Sequence, residues 1–167
     1  MNAAFDEDRA ARSRLLLGGS ALLCLAAVGA ALVSQHQFGM EPCPYCILQR
    51  VIFLAVGLVC LIALICTTSA GRRFGAALAF LLALSGIATA LYQHFVAAAT
   101  ASCNMTMADR IIGAMGLDSF WPDVFSPRAS CADAAVDLLG IPYEFWSLAL
   151  FVVLAIVALQ VIRRPAG

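Results

Sequence analysis

Apolar residues run along this chain in four long blocks. Leu15–Val33, Phe74–Val96 and Trp146–Ile162 contain no Asp, Glu, Lys or Arg, and Cys46–Cys66 contains one charge, Arg50, near its start. A helix needs roughly 20 apolar residues to cross about 30 Å of hydrocarbon. In lipid the backbone must also satisfy its own hydrogen bonds, so the blocks are expected to be helices. The last block is short, and Tyr143, Phe145 and Trp146 are available to anchor it at the membrane interface. A soluble bundle of core helices is the alternative reading, but four such blocks leave no polar face for water.

Composition points the same way. Of 167 residues, 63% are hydrophobic and 12% charged, against about 45–50% and 25% in ordinary soluble domains. The length suits one domain, 1–167. Net charge is zero and lysine is absent, so nothing suggests a nucleic-acid partner. The ten basic residues are sorted by position: Arg9, Arg12, Arg14, Arg72, Arg73, Arg163 and Arg164 all fall on one side of the predicted spans. The positive-inside rule makes that side cytoplasmic. The expected fold is an all-α membrane protein, a four-transmembrane-helix bundle with both termini cytoplasmic. Loops 34–45 and 97–145 then face out, and the second is long enough for structure of its own. In it Met107, Ile111, Ile112 and Met115 recur at roughly helical spacing, which predicts a short amphipathic helix along the membrane surface. Leu15–Val33 exceeds the length of a signal-peptide core, about 7–15 residues, so it is expected to be retained as a span.

The topology divides the seven cysteines. Cys24, Cys60 and Cys66 fall inside spans or at the cytoplasmic end of one, where a free thiol behaves as a small apolar residue. Cys43 and Cys46 lie at the first outer loop, Cys103 and Cys131 in the second. An even number facing an oxidising compartment suggests disulfides. Four cysteines permit three pairings, and the sequence favours Cys43–Cys46 with Cys103–Cys131. The long loop between Cys103 and Cys131 suits a structural bridge. Closing the Cys43-Pro44-Tyr45-Cys46 ring removes little chain entropy, and such a close pair is more often a redox couple. A metal site drawing on His36 or His94 is a weaker reading.

Pro44 suits the first position of a helix, with Cys43 as its cap and Cys46 in its first turn. Free backbone N–H groups there favour a thiolate. One turn further on, Arg50 shares the face of Cys46. A cation at the edge of the hydrocarbon is expensive and reads as functional; the alternative is that it snorkels to lipid phosphates. Tyr92, Gln93 and His94 lie at similar depth on the third span. Separately they are interfacial anchors; with Arg50 and Cys46 they could surround a polar head group whose apolar tail runs between helices, the shape of a quinone. Gly75, Ala79 and Ala83 form a small-residue stripe suited to close helix packing.

Taken together, these residues resemble the family of disulfide bond formation protein B (DsbB), bacterial inner-membrane thiol oxidases. The resemblance covers nearly the whole chain: four spans, CxxC opening the second, an arginine four residues later and two cysteines in the second outer loop. "SFWPDVFSPRASC" and "LLGIPYEFW" resemble the family's segments around its last cysteine and at the entry to span four. The resemblance implies a thiol:quinone oxidoreductase at the bacterial inner membrane with its active site on the periplasmic side. A periplasmic thioredoxin-fold oxidase of DsbA type would reduce Cys103–Cys131. Cys131 would then attack Cys43, and Cys46 would pass electrons to ubiquinone, or to menaquinone without oxygen. Arg50 and Gln93 would face the quinone. Family members often carry a histidine one turn before that glutamine; Thr89 stands there, and His94 is the candidate substitute. Two other readings remain: a quinone reductase of vitamin K epoxide reductase type, and a non-enzymatic four-helix membrane protein with structural disulfides.

Overall fold

The computed structural model describes residues 2–99 and 105–163. Four long helices dominate: α1 (Asn2–Phe38), α2 (Pro44–Ile65), α3 (Ser69–Tyr92) and α7 (Tyr143–Arg163). Stretches Glu7–Phe38, Pro44–Ile65, Ser69–Ala97 and Tyr143–Arg163 are each long and apolar enough to cross a membrane. Large apolar side chains on their outer faces, such as Leu15, Ile65, Phe74 and Leu81, stay exposed, as lipid-facing residues do.

The helices overrun the charge-free blocks. α1 continues through Ser34–Phe38, which the sequence placed in a loop, because Gln35 finds a buried partner on α2. It stops at Gly39, whose φ of 64° is the left-handed conformation that ends helices at low cost. α3 passes into one π-helical turn, Gln93–Ala97. At the opposite end of the bundle Arg72 donates to the carbonyls of Cys66 and Thr67, closing α2.

The core lies where α2 packs between α1 and α3 and α7 packs on α3 and α1, with Val56, Cys60, Ala63, Ala83 and Phe151 fully buried. The small-residue stripe on α3 is structural. A Cβ at Gly75 would stand 2.5 Å from the Cβ of Ala63, and one at Gly86 would meet the Phe151 ring at 2.5 Å. That ring stacks on Phe53 with centroids 4.0 Å apart.

Between α3 and α7 the described residues form three short helices and a hairpin. α4 (Met107–Met115) begins with a capping box between Thr106 and Asp109. It is amphipathic, although the expected apolar stripe divides: Ile112 packs on Ile47 and Phe125, while Met107 and Met115 remain exposed. α5 (Leu117–Phe120) and α6 (Pro122–Phe125) follow. Strands β1 (Asp137–Leu138) and β2 (Ile141–Pro142) then pair antiparallel. Their turn, Leu139–Gly140, has positive φ at both residues, as type I′ hairpins require.

Candidate active site

The site begins at the N-terminus of α2. Cys43 is its N-cap and Pro44 its first residue, as the spacing predicted. The Cys43 thiol donates to Cys46 Sγ at 3.3 Å. Cys131, carried in by the long connection, packs into the same buried cluster as Cys43. A backbone bond helps bring Cys131 there. The Arg128 N–H donates to the Pro42 carbonyl at 2.9 Å, tying the long connection to the short one. The backbone N–H of Tyr45, one of the donors a helix start leaves free, also favours the Cys131 thiolate.

Cys43 thus lies between two sulfurs. The neighbouring sulfur of Cys131, then that of Cys46, then burial hold its thiol above the ordinary range. The Cys43 thiol, helped by the Tyr45 N–H, pulls Cys131 below the ordinary thiol value despite burial. Cys103 lies outside the described residues. Cys24 and Cys60 are buried in the bundle, away from this cluster.

Beyond Cys46 opens a cavity of about 210 Å³. Ala27, Val28, Phe53 and Leu150 make one part of its wall apolar; Cys46, Gln49, Arg50, Gln93 and Glu144 make another part polar. The β-hairpin adds Leu138 to the lining, and its carbonyl accepts from Trp146 Nε1 at 3.4 Å. A head group with hydrogen-bonding oxygens and an apolar tail matches this division, so the lining fits a quinone.

Arg50 is 5% exposed, which excludes snorkelling to lipid. Its Nη1 donates to Gln35 Oε1 at 2.7 Å and to the Val124 carbonyl at 3.0 Å. Nη2 reaches the Ala31 carbonyl at 3.4 Å. Gln35 Nε2 in turn donates to the Asp123 carbonyl at 3.1 Å. The arginine therefore fastens α6 to α1 and α2 while bordering the cavity that holds Cys46.

Gln93 also borders the cavity, but its amide is directed at sulfur. Gln49 Nε2 donates to Gln93 Oε1 at 2.7 Å, which leaves the Gln93 amide nitrogen to donate to Cys46 Sγ at 3.3 Å. His94 is not among the lining residues; its Nδ1 lies 2.6 Å from Oε1 of Glu144, which is. Tyr92 stacks on Tyr45 at 5.3 Å instead of joining the cavity. Thr89 bonds its own helix at the Ser85 carbonyl. Gln93 and His94 open a π turn, an irregularity often found at functional sites, and as consecutive helical residues they face different neighbours.

Sequence reasoning missed Gln35, Gln49 and Glu144 as site residues. A weak signal was available: each is a polar side chain in or beside an apolar block. The carbonyls of Asp123 and Val124 had none, since any residue supplies a carbonyl.

Helices fit to cross a membrane, with paired thiols where two connections meet and a cavity beside them, define a multi-pass membrane thiol protein. Comparison with known proteins narrows that class. Residues 13–161 match the family described as Disulfide bond formation protein DsbB. A Disulfide bond formation protein B from Stutzerimonas stutzeri is 37% identical over 152 residues, covering 87% of this chain and 90% of the relative. Those from Aromatoleum aromaticum and Ralstonia nicotianae are each 33% identical, covering 93% and 92% of this chain and 95% and 97% of their own lengths. The chain belongs to the DsbB family and is a disulfide-forming membrane oxidoreductase. The vitamin K epoxide reductase reading and the non-enzymatic one are set aside.

Proposed function

We propose that this protein reoxidises a periplasmic DsbA-like dithiol and passes the electron pair through two disulfides to a membrane quinone, ubiquinone or, without oxygen, menaquinone. The observation that carries the reading is the position of Cys43, packed in one buried cluster with Cys131 and hydrogen-bonded to Cys46, with Cys46 on the cavity wall.

The cycle starts with both pairs, Cys103–Cys131 and Cys43–Cys46, as disulfides. A partner thiolate attacks Cys103 Sγ, and Cys131 leaves as a thiolate. Cys131 attacks Cys43, breaking its bond to Cys46, which leaves as a thiolate in turn. The partner's second thiolate displaces Cys103 and the oxidised partner departs. Cys103 then attacks Cys131, releasing Cys43. Cys43 and Cys46 give up two electrons as their bond reforms.

When bound, the quinone supplies the oxidising power, taking two electrons and two protons and leaving as a quinol. The chain's own residues prepare this. The Gln93 amide steadies the Cys46 sulfur anion, as a donor to a charged acceptor does. The Arg50 guanidinium adds positive charge beside the same cavity.

Single substitutions test the relay. With reduced partner and quinone, Cys43→Ala, Cys46→Ala, Cys103→Ala and Cys131→Ala should each abolish turnover. Cys24→Ala, Cys60→Ala and Cys66→Ala should retain it. Full turnover in any of the first four contradicts the scheme.

A further inference from the structure

Oxidising two thiols and reducing a quinone moves two protons as well as two electrons, and the sulfur relay accounts only for the electrons. Cys46 acts as a thiolate, so its proton is already gone when the electrons leave. The acceptor's protons need another source. Among the described lining residues, the guanidinium of Arg50 holds its proton too tightly to give it up. The amides of Gln49 and Gln93 and the hydroxyls of Ser34 and Ser147 are not acids in this range. Two groups remain: the carboxyl of Glu144 and the phenol of Tyr143, whose hydroxyl lies 3.5 Å from Ser34 Oγ.

The geometry favours Glu144. It sits at the start of α7 with its side chain 7% exposed, and its Oε1 meets His94 Nδ1 at 2.6 Å; the His94 side chain is 32% exposed. The pair therefore steps from partly open to buried and ends on the cavity. His94 is fixed in place, its ring edge-on to Phe145 at 4.7 Å and to Phe95 at 4.9 Å. An imidazole has two ring nitrogens, so one can stay on the carboxylate while the other exchanges with solvent. The titratable and charged groups bordering the same cavity are Cys46 and Arg50 from α2 and Tyr143 from α7. An ionisable pair with its carboxyl end buried at the rim of the hydrocarbon is costly to keep, and an ordinary polar contact between the π turn and α7 would not require one.

We propose that Glu144 is the proton donor of the cavity and that His94 reprotonates it. Glu144 transfers its carboxyl proton to an oxygen of the reduced acceptor as Cys43 and Cys46 close their disulfide. It regains a proton from the His94 imidazolium, which takes one from water at the loop end of the bundle. Two such deliveries balance the two protons that the partner's thiols released. This inference rests on the quinone reading above.

The test uses the full chain in nanodiscs with a short-chain ubiquinone. Glu144→Gln keeps a hydrogen-bonding group of the same size opposite His94 but removes the acid. Quinone affinity by direct titration should stay within about threefold, since the oxygen facing His94 survives. Single-turnover quinol formation should fall about a hundredfold, the scale of a lost general acid, and should recover in part with added small carboxylic acids. His94→Gln should flatten the pH profile of that step with a smaller loss. Infrared difference spectra of wild type, oxidised minus reduced, should contain a carboxyl band that Glu144→Gln removes. Cys131–Cys43 exchange should be unaffected in both variants. A wild-type rate and pH profile in Glu144→Gln, or the whole loss falling on Tyr143→Phe, overturns the proposal. Failure of wild type to bind quinone overturns the underlying reading and this inference with it.

Discussion

The guanidinium of Arg50, on the second span, donates to the backbone carbonyl of Val124, in the short helix α6, at 3.0 Å. With Gln35 beside it, which takes the Asp123 carbonyl, one buried cation joins the loop bearing Cys131 to the wall of the cavity. Arg50→Ala should therefore do two things. It removes charge from the cavity, and it leaves Gln35 and a carbonyl without their donor, costing roughly 1–3 kcal/mol for each buried group left unpaired. Hydrogen exchange should rise at Phe125 and Ser126, whose amides close α6. Gln35→Leu should raise exchange at the same amides while keeping the charge. Unchanged protection in both variants contradicts the fastening role.

The Gln49–Gln93–Cys46 chain makes a directional prediction. Gln49 fixes which end of the Gln93 amide faces sulfur. Gln49→Leu frees that amide to turn, and Gln93→Leu removes it. Alkylation of Cys46 in the reduced protein at fixed pH should slow several-fold in Gln93→Leu and less in Gln49→Leu. Equal rates in all three proteins would show that the amide does not act on the thiolate.

Cys131 offers a pH test. The neighbouring Cys43 thiol holds the Cys131 thiol below the ordinary value, so in reduced protein its thiolate persists to lower pH than a free cysteine's. Cys43→Ala removes the largest cause of that shift. The midpoint of Cys131 alkylation against pH should then move upward, with slower labelling on the acid side. A midpoint that stays put or moves down contradicts the contact.

Close packing at Gly86 predicts a purely structural defect. Gly86→Ala drives a methyl group into the Phe151 ring, an overpacking that costs about 1–3 kcal/mol. Thermal unfolding in detergent should drop, and Phe151→Leu combined with it should recover part of the loss. Quinone affinity should not change, because neither residue borders the cavity.

How much of this was legible in the sequence follows from the physics of each part. Span number and helix class were legible because lipid leaves the backbone few options and 63% apolar content leaves no alternative. The cap at Cys43 was legible from Pro44, since proline at a first helical position is a local signal. Tertiary partners were not. Nothing local says that α1 runs past its apolar block until Gln35 meets Arg50, or that Gln93 turns to sulfur while its neighbour His94 turns to Glu144. That second division depends on which elements stand opposite the end of α3, namely Cys46 of α2 and Glu144 of α7. Tyr92, grouped with Gln93 by depth alone, proved to pack on Tyr45.

Direction of electron flow is the central claim, and one measurement addresses it most directly. Fully reduced protein, with Cys24, Cys60 and Cys66 replaced by alanine, is mixed with less than one equivalent of ubiquinone, quenched at intervals and mapped by mass spectrometry. The account predicts that Cys43–Cys46 appears first, as the pair bordering the cavity, and that Cys103–Cys131 follows at its expense. Formation of Cys103–Cys131 first, or loss of quinone with Cys43 and Cys46 still reduced, contradicts it.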